Sequence, residues 1–128
     1  MTVEDDQDRL VRRFRRQADT AVQRSSPLYE HLLRGCVADL GQRGPTWLVV
    51  QDRAGEPAGD ALPLRLLAAV HQLVLRDRAP DLARYYPSVG GDEALDSAWP
   101  VFRAVLEEQA GAVRAALDRP LQTNEVGR

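Results

Sequence analysis

A chain of 128 residues in which 44% are hydrophobic and 28% are charged has the composition of a single globular domain. Its net charge of −2 and pI of about 5.7 give no general attraction to phosphate backbones, so nucleic acid is excluded as an expected partner. It has no apolar run long enough to cross a bilayer, and its acidic start, MTVEDDQDRL, does not resemble a signal peptide. We therefore predict a cytoplasmic protein with no membrane partner.

The first predicted element is an amphipathic helix within residues 5–24. Four arginines in this helix form a basic cluster that is compatible with an anion contact or with a solvated, salt-bridged helix face. The closely preceding acids favour the salt-bridged face. The helical stripe consists of Leu10, Val11, Phe14, Ala18, Ala21 and Val22, and the basic cluster of Arg12, Arg13, Arg15 and Arg16.

A second helix is predicted from Ser26 and Pro27 to Gly41 or Gly44. The single cysteine, Cys36, falls on its apolar face, which predicts a packed core thiol and excludes an internal disulfide. His31 is assigned to the surface of this helix. The following PTWLVVQD is compatible with one short helical turn or with a brief extended segment, and RAGEPAGD is typical of a surface loop.

The helix predicted over residues 61–77 should be the central and most buried one, because its apolar residues surround the helix and do not keep to one stripe. His71 within it is compatible with a general base or with a hydrogen-bonded core residue, and we assign it to a second shell around a site. No histidine, cysteine or carboxylate follows at i+3 or i+4, so no metal site is predicted. The apolar set is Leu64, Leu66, Leu67, Val70, Leu73, Val74 and Leu75.

A short helix is predicted from Pro80 to Tyr86, then a loop, and then a last long helix over residues 99–117 that Pro120 closes. The loop sequence RYYPSVGGD places Tyr85 and Tyr86 beside a proline and two glycines, which suits a ligand-binding loop. The alternative is that both tyrosines pack under the last helix. The predicted fold is all-α, an irregular or orthogonal bundle of about five or six helices around the helix at 61–77.

The end of the chain, QTNEVGR, concentrates polar side chains more densely than an idle terminus usually does. A ligand contact and a frayed tail are both compatible with this segment. The candidate ligand-binding residues are Gln122, Thr123, Asn124, Glu125 and Arg128.

Several blocks, in this order and spacing, resemble the N-terminal part of an actinobacterial domain-of-unknown-function family numbered 2332. The resemblance runs from about Leu10 to Arg128. It implies a longer protein, in which residues 1–120 are the helical domain and residues 121–128 are a junction toward a second domain. That second domain would begin with a segment similar to the start of an S-adenosylmethionine-dependent methyltransferase domain. The blocks that carry it are SPLYEHLLRG, ALPLRLLAAVHQLVL, APDLARYYPSVGGD, AWPVFRAVLE and RPLQTNEVGR.

The resemblance therefore implies that this chain carries no cofactor itself and that S-adenosylmethionine belongs to the intact protein. The expected role is a non-catalytic domain that covers the substrate side of its C-terminal partner domain, with the tyrosine loop and the junction facing a shared cleft. A second hypothesis is a stand-alone module that binds a protein partner or oligomerises through Val11, Val22 and the last helix. A third is a small enzyme that uses His71 or Glu125 as its base.

Overall fold

The structure is a computed structural model that describes residues 2–23, 27–55, 61–86, 90–91 and 94–118. Every regular element within these ranges is helical, which confirms the all-α prediction. Two 3₁₀ turns, Gln51–Arg53 and Leu95–Ser97, accompany the α-helices. The α-helices are α1 (Val3–Gln23), α2 (Pro27–Gly41), α3 (Pro45–Val50), α4 (Leu62–Leu75), α5 (Pro80–Ala83), α6 (Ala98–Glu108) and α7 (Ala110–Leu117).

Helices α1 and α2 form an antiparallel hairpin. The predicted apolar stripe of α1 is buried at Leu10, Phe14 and Ala18, and these side chains belong to the same core as those of α2. Near its start, α1 also closes the far end of α2, where Gln7 Nε2 donates to the carbonyl oxygens of residues 40 and 41 at 2.8 and 3.1 Å. These carbonyls have no partner inside α2 because they lie in its last turn.

The turn between α2 and α3 contains a buried carboxylate. Arg43 takes a left-handed conformation (φ 54°), and Gly44 N–H then donates back to the Asp39 carbonyl, a Schellman-type termination of α2. The Asp39 carboxylate in turn accepts a hydrogen bond from the Thr46 N–H at 2.8 Å. With Pro45 at its first position, α3 is helical, so the helical alternative for PTWLVVQD is the correct one.

Helix α4 lies against α1, α5 and α7, and most of its apolar residues are buried. Leu64 and Leu75, however, are 39% and 50% exposed. They share one face with the exposed Ala68, because residues at i, i+4 and i+11 lie close together around a helix. The apolar residues of α4 thus form two surfaces, one that packs in the core and one that faces solvent.

The last long helix is divided in two at Gln109, where the backbone (φ −115°, ψ 25°) leaves the α-helical region. The Gln109 side chain fixes this break, since its Nε2 donates to the Arg78 carbonyl oxygen at 2.8 Å. The break lets α6 pack on α2, α3 and α5 while α7 packs on α3 and α4. Apolar periodicity runs through both helices, so it predicted one continuous element.

Candidate functional site

The two tyrosines of the predicted binding loop lie in the core. Tyr85 is 5% exposed, and its hydroxyl shares a 2.7 Å hydrogen bond with Ser97 Oγ. Tyr86 is 2% exposed, and its ring stacks on that of His71 with the centroids 4.9 Å apart and the planes at 23°. Burial, and secondarily the phenol of Tyr29, raises the pKa of Tyr86. These positions match the packing alternative, and a ligand contact by either tyrosine stays a prediction.

The glycines after the tyrosines hold the chain close to α5. Gly90 adopts a positive φ of 84°, which favours glycine, and Gly91 N–H donates to the Tyr86 carbonyl oxygen at 3.0 Å. A Cβ on Gly91 would lie 2.5 Å from the carbonyl oxygen of Ala83. The two glycines therefore allow the backbone to pass close to α5 and the tyrosines.

The junction at 121–128 lies outside the described residues, so the structure does not bring it together with the tyrosines. Its ligand-binding role, at Gln122, Thr123, Asn124, Glu125 and Arg128, stays a prediction. His71 is partly buried and contacts Tyr86, and its second-shell role likewise stays a prediction.

A groove of about 750 Å³ lies elsewhere on the molecule, between the first half of α2 and the start of α6. We call it the α2–α6 groove. Its volume is within the range of small-molecule sites, and its lining combines apolar, aromatic and charged side chains, as such sites usually do. One wall consists of Pro27, Glu30, His31, Arg34 and Gly35, and the other of Leu95, Asp96, Trp99 and Pro100.

The basic group of the α2–α6 groove is already paired. Arg34 Nε donates to Glu30 at 2.9 Å, and Arg34 Nη2 donates to Asp19 on α1 at 3.1 Å. These hydrogen bonds, first that of Glu30 and then that of Asp19, raise the pKa of Arg34. On the opposite wall, the exposed Asp96 forms no ion pair with any described residue. Among the described lining residues, the uncompensated charge is therefore negative.

The indole of Trp99 packs directly on the backbone of α2 at Gly35. A Cβ on Gly35 would lie 2.3 Å from Trp99 Cδ2 and 2.4 Å from Cε3, so only glycine permits this contact. The ring also contacts Phe102, with the centroids 5.7 Å apart and the planes tilted by 30°. Trp99 is thus fixed from two sides while part of its ring remains at the groove.

His31 differs from the helix-surface position predicted for it. It is partly buried in the wall of the groove, and its Nε2 is buried with no hydrogen-bond partner. Buried polar atoms without partners are rare in folded proteins, and each needs an explanation. Because this nitrogen is itself buried, it is not exposed to the groove.

The tyrosine loop and the α2–α6 groove are connected through the 3₁₀ turn Leu95–Ser97. Tyr85 binds Ser97, and the two preceding residues of this turn, Leu95 and Asp96, line the groove. Tyr85 therefore contributes to the groove indirectly, by holding the turn that forms one wall.

Cys36 is fully buried, as predicted for a core thiol. Burial raises the pKa of this thiol, and the nearby Asp39 carboxylate adds to the effect, so the thiolate is disfavoured at neutral pH. Within the described ranges, no three histidine, cysteine or acidic side chains are grouped so that they could hold a metal ion. None of the helices in these ranges is long and apolar enough to cross a membrane.

A protein-family match covers almost the whole chain. The sequence profile of the family DUF2332, described as "uncharacterized protein conserved in bacteria", matches residues 11–128. The chain belongs to this family. No curated protein and no solved structure matches it.

The DUF2332 match includes every residue of the α2–α6 groove as well as the tyrosine loop and the junction. The sequence alone did not reveal the groove, because its two walls come from helices about 60 residues apart. Gly35 gave the one usable signal, since a glycine inside a helix often marks a close packing contact. Predicting its contact with Trp99, however, requires knowing which helices pack together.

Proposed function

We propose that this chain is a non-catalytic, ligand-binding helical domain. In the intact protein it would cover the substrate side of a methyltransferase-like domain that follows Arg128. The observation that carries the binding role is the α2–α6 groove, whose size and mixed lining suit a small molecule. The methyltransferase-like partner and an actinobacterial source rest on the family resemblance of the RPLQTNEVGR block, and a cytoplasmic location is a separate part of the proposal.

The chemistry of the described nucleophiles supports binding without catalysis. The Cys36 thiol and the Tyr86 phenol are both buried with raised pKa values, so both stay protonated at neutral pH and are weak nucleophiles. Neither lines the α2–α6 groove. His71, the base of the alternative small-enzyme hypothesis, has its ring stacked on Tyr86.

In this proposal S-adenosylmethionine binds to the second domain and not to the helical one. The helical domain would hold or exclude the substrate, and closure of the two domains would remove water from the reacting groups. The junction residues would then face the shared cleft, and Tyr85 would act on the substrate side by supporting the groove wall.

The size of the native product tests this proposal first. An antibody raised against the helical domain should detect, in an immunoblot of source cells, a band well above the 14.2 kDa of this chain. A band at 14.2 kDa would overturn the two-domain arrangement.

Calorimetric titration with S-adenosylmethionine is the second step. The longer native protein should bind S-adenosylmethionine, whereas the 128-residue chain should not. Substituting Asn124 and Glu125 in the long product should weaken substrate binding or activity, and unchanged binding and activity would remove the junction from the site.

The outer face of α4 favours a second candidate function, a protein-interaction or oligomerisation module. Leu64 and Leu75 are the exposed large hydrophobic side chains of this helix, and the exposed Ala68 lies between them on the same face. The surface first predicted for this role is different, because Val11 packs partly buried against the core and α7 buries Val113 and Leu117. The side chain of Val22 lies outside the described residues.

Sedimentation of the wild-type chain and of a Leu64→Glu, Leu75→Glu variant separates the two candidates. An interaction module that oligomerises should sediment as more than a monomer and dissociate in the variant. Matching monomeric sedimentation of both proteins would count against self-association.

A further inference from the structure

The charge balance of the α2–α6 groove points to a ligand of positive charge. Arg34, the arginine among its described lining residues, is held between Glu30 and Asp19, and these two acids more than balance it. Asp96 remains at the other wall without an ion-pair partner among the described residues. A bound anion would have to compete with two carboxylates for Arg34, whereas a cation would find Asp96 available.

An aromatic ring lies three residues from this carboxylate. Trp99 lines the same groove, and tryptophan is the aromatic side chain that attracts cations most strongly, because its ring face carries partial negative charge. The contact with Gly35 fixes the indole, so a ligand would not have to order it. Leu95, Pro27 and Pro100 add apolar surface around the ring.

The Asp96 carboxylate offers hydrogen-bond acceptors, and an ammonium group is a donor without acceptor capacity. An ammonium ligand in the groove would therefore complement Asp96, which has no ion-pair partner among the described residues.

We propose that the α2–α6 groove binds a small organic cation, namely an ammonium group attached to an apolar or aromatic body. Asp96 and Trp99 hold the charged end, and the proline and leucine side chains contact the apolar body. This assignment rests on the proposed function in one respect, namely that the chain binds a ligand. It adds the chemical class of that ligand.

Three probes of similar shape test the charge preference: 2-phenylethylammonium, 2-phenylethanol and 3-phenylpropionate. The chain contains two tryptophans, so the indole N–H signals of Trp47 and Trp99 are resolved by NMR and assigned with a Trp99→Phe variant. Titration to about 10 mM covers the weak affinities expected of small fragments. The ammonium probe should shift the Trp99 signal with the lowest Kd and leave that of the buried Trp47 unchanged.

Asp96→Asn should raise the Kd of the ammonium probe about two- to fivefold, the range of an exposed ion pair, and leave that of 2-phenylethanol unchanged. Asp81→Asn is the matched control, since Asp81 is also an exposed acid beside a helix N-terminus but does not line the groove. It should change neither Kd. Urea unfolding of both variants checks that the fold is intact.

Tighter binding of 3-phenylpropionate would overturn the proposal and assign an anion site to Arg34 and His31. Equal Kd values for all three probes would reduce the groove to a nonspecific apolar surface, and absence of any shift at Trp99 would remove the site. None of these results depends on the size of the native product or on its binding of S-adenosylmethionine. Failure of the cation proposal can therefore be distinguished from failure of the two-domain arrangement.

Discussion

The two ends of α2 meet α6 in opposite ways. At the C-terminal end, the Asp39 carboxylate is 3% exposed and receives hydrogen bonds from the Thr46 N–H at 2.8 Å and from Arg103 Nε at 3.1 Å. At the other end, Gly35 meets Trp99 and the α2–α6 groove opens beside them. The two contacts are four residues apart on each helix, so α2 and α6 run side by side in the same direction.

The difference between these ends separates polar groups that hold the fold from polar groups that face a ligand site. The Asp39 carboxylate uses both oxygens inside the protein, and no further partner is required. Asp96 is left without a hydrogen-bond or ion-pair partner among the described residues. Substitution of Asp39 should therefore change stability, and substitution of Asp96 should change binding.

Asp39→Ala should give the largest loss of stability. It removes the acceptor of a buried N–H at Thr46, and a buried donor left unsatisfied costs about 1 to 3 kcal/mol, so we expect a total of about 2 to 4 kcal/mol. Arg103 adds less, because its side chain is 45% exposed and stays hydrated. Urea unfolding measures the change. Asp19→Ala is the control, since this acid is also paired with an arginine but is exposed, and its midpoint should match the wild type.

Gly35→Ala should be the next largest. The added methyl group overlaps Trp99, which costs about 1 to 3 kcal/mol and outweighs the gain of up to about 1 kcal/mol from better helix propensity. Gly111→Ala in α7 is the matched control, because a Cβ there meets nothing within 4 Å, and it should stabilise the protein slightly. Equal unfolding midpoints for the two variants would show that the Gly35 contact with Trp99 is not tight.

Stability should fall in alkaline solution because of Cys36. Its folded-state pKa is raised, so above the ordinary thiol value of about 8.5 the unfolded chain loses a proton that the folded protein keeps. The free energy of unfolding should be unaffected below about pH 8 and should then decrease by up to about 1.4 kcal/mol per pH unit. Cys36→Ala should flatten the profile between about pH 8 and 9, below the ordinary tyrosine pKa of about 10. An unchanged slope in the variant would contradict the assignment.

Tyr85→Phe should give the smallest effect, about 0.5 to 1.5 kcal/mol, because it removes one hydrogen bond to Ser97. Ser97→Ala should cost about the same, and the double variant should cost little more than either single one, since both remove the same bond. Thermal unfolding measures the three variants. Simple addition of the two losses would mean that the hydrogen bond does not link the tyrosine loop to the groove wall.

The helices were predictable because their signals are local. Apolar periodicity located α1, and a proline at the first helical position marked α2 and α5. The break at Gln109 was not predictable, since it depends on a hydrogen bond to Arg78, which lies 31 residues away. The exposure of Leu64 and Leu75 was not predictable for a similar reason. Composition shows how apolar a helix is but not which neighbouring helices cover it.

The candidate site was less predictable than the fold. Tyr85 stood out in the sequence, yet it contributes to the groove only through Ser97. His31 looked like helix surface because nothing in its own segment shows that Leu95 and Trp99 approach it. Charge balance at a site depends on which side chains meet across helices, and neither helical spacing nor local motifs contain that information.

The contact of Gln7 with the end of α2 has a consequence for the order of folding. This side chain stops α2 from fraying only after α1 has docked, and the two helices are neighbours in sequence, so the hairpin can close before distant segments arrive. We therefore expect α1 and α2 to form the early folding nucleus, with a high φ-value at Gln7. The α2–α6 groove would then be completed late, when α6 arrives, and ligand binding would report the last step of folding.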